Sequence, residues 1–283
     1  MSNRSSGHVA RSTVRPNRET AGRSLIRTFL RTSDGIAVEA VYDPGPVVYE
    51  ASPSASSPPS GYPVFVIAHG FTGDVDRPHV RRAAAVFARY GAVVTFSFRG
   101  HGASGGRSTV GDKEVLDLAA AVEWARGLGH RRVVTVGFSM GGSVVLRHAA
   151  LRPGTVDAVV AVSAPARWYY RGTAPMRRLH WLVTRPAGRL VGRYGLRTRI
   201  HHRQWDPVPL SPVQAVPRIA PTPLLIVHGD RDGYFPLDHP RMLAEAAGDH
   251  GELWVEPGMG HAENAADDAL LARVGDWAAA RAG

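Results

Sequence analysis

Gly137-Phe138-Ser139-Met140-Gly141 is a Gly-x-Ser-x-Gly pentapeptide standing where an apolar strand-like run, Val133 to Val136, meets a helix-like run that starts near Gly141. A tight strand-to-helix turn has no room for side chains at its flanks, so it requires glycines, and it lifts the serine hydroxyl above a sheet edge. The chemistry this suits is acyl transfer through a serine nucleophile, with the helix N-terminus behind it favouring developing negative charge. A free hydroxyl is a poor nucleophile at neutral pH and needs a base. Of the 13 histidines, His261 follows the last strand-like run in the Gly-rich loop Gly258-Met259-Gly260-His261 and precedes Asn264, a helix-capping residue type. That places it beside the carboxyl edge of a parallel sheet, with Ser139. His228 falls in or at the end of a strand, His148 on a helix, and His201 and His202 in an arginine-rich stretch. An acid must hold the imidazole in the right tautomer. Two carboxylates qualify, Asp230 and Asp232, both in the turn after Pro223 to His228, whereas Asp157 lies at the wrong end of its strand.

Other chemistries are excluded or left without a carrier. The chain has no cysteine, which removes disulfides, thiolate zinc sites and a Cys nucleophile. No phosphate-binding loop, HExxH pair or EF-hand spacing occurs, and the neighbours His201 and His202 would point in different directions in any regular structure, so neither metal nor cofactor is expected. The run Arg99 to Arg107 reads equally as an anion nest or as a Gly-rich loop after a strand. The formal charge of +10 is local: +6 over residues 1–31, +10 over residues 165–218, and −7 over residues 219–283. Lys113 is the sole lysine among 34 basic residues, a compositional bias rather than a nucleic-acid signature, and no nucleic-acid-binding motif accompanies it. No apolar stretch reaches the roughly 18 residues of a spanning helix, and no apolar segment precedes Leu25 as in a secretory signal. A cytoplasmic protein is the expectation.

The elements that must position these residues alternate from Tyr62 onward. Strands are expected at Tyr62 to Ala68, Ala92 to Phe98, Arg132 to Gly137, Ala158 to Ser163, Pro223 to His228 and Glu252 to Glu256. Helices are expected at Pro78 to Tyr90, Asp112 to Gly127, Gly141 to Leu151, Leu237 to Ala247 and Asn264 to Ala280. Continuous Val/Ile/Phe runs suit strands covered on both faces, and the alternation implies right-handed crossovers in a mostly parallel sheet. Leu25 to Arg31 and Ile36 to Tyr42 form a hairpin around Ser33-Asp34-Gly35, and Pro44 to Gly61 is a Pro/Ser-rich surface loop. Residues 1–23 lack large apolar groups and read as a disordered basic tail. Residues 165–221 break the alternation with Trp168, Tyr169, Tyr170, Trp181, Tyr194 and Trp205 among eleven arginines; helix-like spacing interrupted at Pro186 and Gly188 makes this a helical insertion, a cap over the sheet's carboxyl edge.

These motifs resemble the α/β-hydrolase family over nearly everything from Leu25 onward. Further matching pieces are His69-Gly70-Phe71, Arg99-Gly100-His101-Gly102-Ala103-Ser104-Gly105, Gly229-Asp230-Arg231-Asp232 and Gly258-Met259-Gly260-His261, most similar to the capped esterase, monoglyceride-lipase and serine-aminopeptidase-like branch. Phe98 departs from the pattern, since relatives often carry Asp there. The resemblance implies an eight-stranded, mostly parallel sheet with helices on both faces and a cap, core residues being 24–164 and 222–283. It also implies a catalytic triad of Ser139, Asp232 and His261, in the family's order, with backbone amides of Phe71 and Met140 as oxyanion hole. Substrate would be bound by Phe71, Trp168, Tyr169 and Trp181. The implied activity is metal-independent hydrolysis of a small or lipid-like carboxylic ester, without cofactor; thioesterase, peptidase, acyltransferase and perhydrolase chemistry share the same intermediate, and a non-catalytic binding module is the other class. The basic cap adds peripheral contact with an anionic membrane surface as an expectation.

Overall fold

The computed structural model describes residues 25–45 and 61–282. The expected basic tail and most of the Pro/Ser-rich loop lie outside them. The chain opens with the hairpin β1 (Ile26–Arg31) and β2 (Ala37–Asp43), turning at Asp34-Gly35, and continues β3 (Val64–Ala68), α1 (Pro78–Phe87), β4 (Ala92–Phe96), α2 (Glu114–Gly127), β5 (Val133–Phe138), α3 (Met140–Leu151) and β6 (Ala158–Val162). Then come α4 (Ala174–Thr184), α5 (Pro186–Gly195), α6 (Pro212–Ala215), β7 (Leu224–Gly229), α7 (Asp238–Ala247), β8 (Gly251–Glu256), α8 (Ala262–Ala265) and α9 (Asp268–Arg281). The strands make one eight-stranded sheet in the order β1-β2-β4-β3-β5-β6-β7-β8. β1 and β2 run antiparallel to their neighbours, and all pairings from β4 to β8 are parallel.

Side chains of a strand alternate between faces, so each strand feeds two cores. Phe65, Ile67, Val134, Val160 and Leu225 pack with Val86 and Phe87 of α1 and with Leu271, Val274 and Trp277 of α9. Val66, Ala68, Val94, Phe96 and Ile226 pack on the other side with Leu118 of α2, Val144 to Leu146 of α3 and Leu243 of α7. β3, β4, β5 and β6 are buried at every position, which is why they read as unbroken apolar runs.

The ends of several elements shift by one to three residues, and one element divides differently from the sequence expectation. In place of one final helix behind an Asn264 cap, α8 stops after one turn, and Asp267 caps α9 by accepting from the Leu270 amide at 2.8 Å. Asp at that position satisfies an orphan amide of the longer helix, so Asn264 falls inside the short one. The insertion holds α4 and α5, divided at Arg185 as the interruption at Pro186 predicts, and the one-turn α6; the Arg185 backbone is extended because Pro186 follows it, while Gly188 lies inside α5 without breaking it.

Candidate active site

β5 ends in the serine turn. Ser139 sits at φ 51°, ψ −112°, a conformation costing on the order of 1–3 kcal/mol that survives only if its surroundings impose it. They do: its amide donates to the Val162 carbonyl at 2.9 Å, and Ser143 returns a bond to the Ser139 carbonyl. A side chain at Gly137 would collide with the Gly141 carbonyl, and one at Gly141 with the Ala68 carbonyl, so the two flanking glycines are steric requirements of the turn. Ser139 Oγ and His261 Nε2 are 2.9 Å apart, and His261 Nδ1 lies 2.7 Å from Asp232 Oδ2. The loops after β5, β7 and β8 thus bring the three predicted residues into one line at the sheet's carboxyl edge.

Of the two candidate carboxylates, Asp232 is the one that reaches His261. Its side chain is fully covered. Burial would raise its pKa, but the His261 hydrogen bond and charge, with amide donation from Phe235 and Tyr234 to Oδ1, more than reverse this and hold the carboxyl below its usual value. Asp230 accepts from the Gly258 amide at 2.6 Å, which bolts the β7 turn to the neighbouring β8 loop rather than to itself. Asp157 bonds the Val133 amide and Arg126 at the opposite end of the sheet.

The amides of Phe71 and Met140 donate to no acceptor among the described residues. Met140 opens α3, so its N–H has no intrahelical partner. Phe71 lies in the turn after β3, and that turn is held by two buried groups that sequence reasoning passes over. His69 is fully buried; its Nδ1 meets the Gly70 carbonyl at 2.7 Å and its Nε2 accepts from the Phe98 amide at 3.0 Å. Burial, then the neighbouring His101, press its pKa down to about 3, so the ring is neutral and its tautomer fixed. Glu263, two residues past His261, accepts from the Gly70 amide at 2.9 Å. Its residue is 3% exposed. One carboxylate therefore ties the loop carrying His261 to the loop carrying the Phe71 amide, while Ser163 Oγ accepts from the Ala262 amide between them at 3.0 Å. The loop after β4 is anchored by Arg99, which bridges Asp117 and Asp34.

Tyr234 is a further residue the sequence does not single out. Its ring stacks on the His261 imidazole at 4.2 Å with 25° between planes. A π face there would favour a protonated imidazole, and the stacking restrains the ring. Its carbonyl accepts from Thr173, which also caps α4, so the same residue touches the insertion. A motif search finds the acid but not the aromatic two residues on, because that side chain is free to vary.

The aromatic residues of the insertion are placed differently from one another. Trp168 donates its indole N–H to the Pro209 carbonyl at 2.9 Å and packs on Trp205, which Tyr169 also meets. Trp181 is 48% exposed on α4, beside Arg177 and Arg178. Phe71 packs edge-on against His101 at 5.7 Å. None of the three insertion aromatics makes a ring contact with His261 among the described residues. His201 and His202 do not diverge as expected: outside regular structure their rings stack at 5.1 Å. No group of three or more His, Asp or Glu side chains among the described residues is arranged to hold a metal.

A strained serine turn between a parallel strand and helix, with its histidine and acid arriving from the two strands that follow the insertion, is the arrangement of one superfamily. The family model described as the alpha/beta hydrolase family matches residues 65–274, and the chain belongs to that family. It is similar to a monoacylglycerol lipase of Mycolicibacterium smegmatis, 29% identical over a 239-residue alignment that covers 70% of this chain and 80% of the relative. Among solved structures, the Pf2001 esterase of Pyrococcus furiosus superposes with a TM-score of 0.69 at 23% identity, covering 92% of this chain and 94% of that one. The Xanthomonas campestris protein XC6422, a serine hydrolase without a lid, gives 0.60 at 18% identity over 92% and 95%. These structural likenesses speak for the fold. Among the described residues no helix is long and apolar enough to cross a membrane.

Proposed function

We propose that the protein is a serine hydrolase of the carboxylesterase and lipase type, acting on a small or lipid-like acyl ester through Ser139, His261 and Asp232. The observation that carries this reading is the unbroken chain from Asp232 Oδ2 through the imidazole to Ser139 Oγ, with links of 2.7 and 2.9 Å. Ser139 Oγ attacks the acyl carbon while His261 Nε2 takes its proton, and Asp232 stabilises the imidazolium. The tetrahedral oxyanion is received by the amides of Met140 and Phe71. Collapse expels the alcohol, protonated by His261, and leaves Ser139 acylated; water, deprotonated by the same nitrogen, then releases the acid. An imidazole in reach of the serine supplies the base, so no metal or cofactor enters the scheme.

Residues 165–221 act as the cap and 24–164 with 222–283 as the catalytic core of this reading. The similarity to a monoacylglycerol lipase, together with an exposed Trp181 and exposed Leu190 and Val191 on the insertion, favours an apolar acyl chain. In this reading Phe71 lines the acyl site beside its amide, with Trp168 and Tyr169 as the cap's contribution, whereas Trp181 lies beside Arg177 and Arg178 on the exposed side of α4. A cytoplasmic location accompanies the proposal. The test is a fluorophosphonate probe, which needs an activated serine and no knowledge of substrate: Ser139 is expected to be labelled stoichiometrically, and absence of labelling in folded protein refutes the reading. A panel of acyl donors and acceptors, scored by product, separates ester hydrolysis from thioester, peptide, perhydrolytic or acyl-transfer chemistry.

A further inference from the structure

Away from the serine, α5 lies against a short ladder that fastens the insertion to the loop after β4. In it Arg199 donates to the Gly100 carbonyl and Ser108 to the Arg199 carbonyl, each at 2.7 Å, and His201 to the Ser108 carbonyl at 2.8 Å. Between helix and ladder is a cavity of about 270 Å³ lined by Arg107, Pro186, Arg189, Leu190, Arg193, Arg199 and Ile200. Among the described residues, none of these four arginines has a carboxylate partner. Arg189 bonds the Thr184 carbonyl, Arg193 lies over Tyr194, and Arg199 bonds the Ser104 carbonyl while its buried Nε meets no acceptor.

The lack of counter-charge is built into the sequence. Residues 165–205 contain no Asp or Glu. The two acids that follow the Arg107 loop are already committed: Glu114 is buried and accepts from Ser108 Oγ and the Thr109 and Gly111 amides, and Asp112 faces Arg147. Four guanidiniums around one small space repel one another unless an anion sits among them. Their planar forks suit an oxyanion of two or three oxygens, and the cavity has room for such a headgroup. The apolar remainder of the wall, Pro186, Leu190 and Ile200, is where a chain attached to that headgroup would lie.

We infer that this cavity at the seam between insertion and core binds an amphiphilic oxyanion, a phosphate or carboxylate head joined to an apolar chain. The site spans two parts of the fold, so an occupant would strengthen the seam that the ladder makes. It is independent of the acyl-transfer reading and would stand if that reading failed.

Calorimetric titration of the full chain with octyl phosphate, octanoate, octanol and inorganic phosphate, all as monomers, tests it. Octyl phosphate or octanoate is expected to bind, whichever is tighter naming the head; inorganic phosphate should bind more weakly and octanol not measurably. The double variant Arg107→Gln/Arg193→Gln should weaken binding about a hundredfold, roughly tenfold for each charge-assisted hydrogen bond removed. Both side chains are exposed. Thermal unfolding and turnover of a small neutral ester, expected to be unchanged, show that the variant is folded. Equal affinity in the double variant, or equal affinity for octanol, overturns the inference. Capture by anionic vesicles without binding of octyl phosphate or octanoate overturns it as well and assigns the charge to the cap surface instead.

Discussion

The hydrolase core and the insertion handle charge in opposite ways. Inside the core, Arg99 is clamped between Asp117 and Asp34, Glu39 pairs with Arg27, and Glu114 gathers the amides of the 109–111 turn. Between residues 165 and 205 there is no carboxylate at all, and the ion pairs of that segment reduce, among the described residues, to Arg167 with Asp238. A charge buried in a core must be neutralised by its own chain, whereas an unpaired charge at the surface stays available to something outside it. The core therefore uses its polar groups to hold atoms at fixed distances, whereas the insertion leaves most of its guanidiniums without a carboxylate partner among the described residues, bonded at most to backbone carbonyls.

The sharpest way to break this comparison is at the serine. Ser139→Ala should lower kcat for a short p-nitrophenyl ester by about 10⁶ if the three residues act as a unit. Asp232→Asn should cost about 10⁴, because the amide leaves His261 in the wrong tautomer. Asp230→Asn should instead loosen the bond to the Gly258 amide and lower thermal stability with little change in rate. A reversed ranking of the two aspartates in steady-state assays would move the acid role to Asp230.

A smaller effect separates positioning from chemistry. Glu263 touches no reacting atom in the proposed scheme, yet joins the Gly70 amide to the histidine loop. Glu263→Ala should reduce kcat roughly tenfold with KM unchanged, less than the roughly 10²–10³ that follows removal of an oxyanion donor itself. Glu263→Gln keeps an acceptor for Gly70 and should restore most of the rate. If both variants fall equally, the carboxylate charge rather than the hydrogen bond is what matters. If KM alone rises, the residue serves substrate binding.

Much of this core is legible in the sequence because its signals are local. The Gly-x-Ser-x-Gly turn needs glycines for steric reasons that any sequence displays, and fully buried strands read as apolar runs. His261 is separable from twelve other histidines by its loop position alone. The choice between Asp230 and Asp232 is not legible from residue type; it rests on the resemblance, and the geometry that favours Asp232 is a tertiary one, set by Phe235 and Tyr234 turning their amides onto it. Tyr234, Glu263 and His69 escape notice for a related reason. Each acts on a residue brought near by the sheet, and only the last sits inside a motif. The split of the last helix at Asp267 is hidden because Asn264 and Asp267 are equally good caps on paper.

The core's buried histidines give a pH signature to which the insertion adds His180, also lowered by burial. Burial holds His69 near a pKa of about 3 and His101, His148 and His239 near about 4, below the roughly 6.5 of an unfolded chain. For such a base the unfolded state binds more protons in the window between the two values. Stability is therefore full above about pH 6.5 and falls as pH drops toward 4, by up to about 1.4 kcal/mol per pH unit for each histidine that must stay neutral. Urea unfolding at pH 7, 6 and 5 should show this slope, and His148→Gln, which removes an imidazole with no partner on either nitrogen, should flatten it. An unchanged slope would mean that acid destabilisation comes from carboxylates instead.

The smallest expected effect on catalysis comes from the outer face of the insertion. Arg177, Arg178 and Arg185 surround or follow the exposed Trp181, and Tyr194 on α5 is 75% exposed. Such a mixture of aromatic rings and cations suits the boundary of an anionic bilayer, where each cation near the surface contributes about 1 kcal/mol and is screened within a Debye length. Neutralising these three arginines to Gln should leave turnover of a small neutral ester within about twofold, since none of them belongs to the triad or to the loops that hold it. Sedimentation with phosphatidylserine-containing vesicles should fall sharply in the triple variant, and in the wild type between low and high salt. The alternative is that the arginine stems merely cover apolar surface while their heads stay in water. In that case sedimentation is equal on anionic and zwitterionic vesicles, and the outer face has no lipid role. The contrast with Arg107 and Arg193 then becomes decisive, because those two line a concave, half-open site where a soluble anion suffices, while Arg177, Arg178 and Arg185 would matter only to a surface.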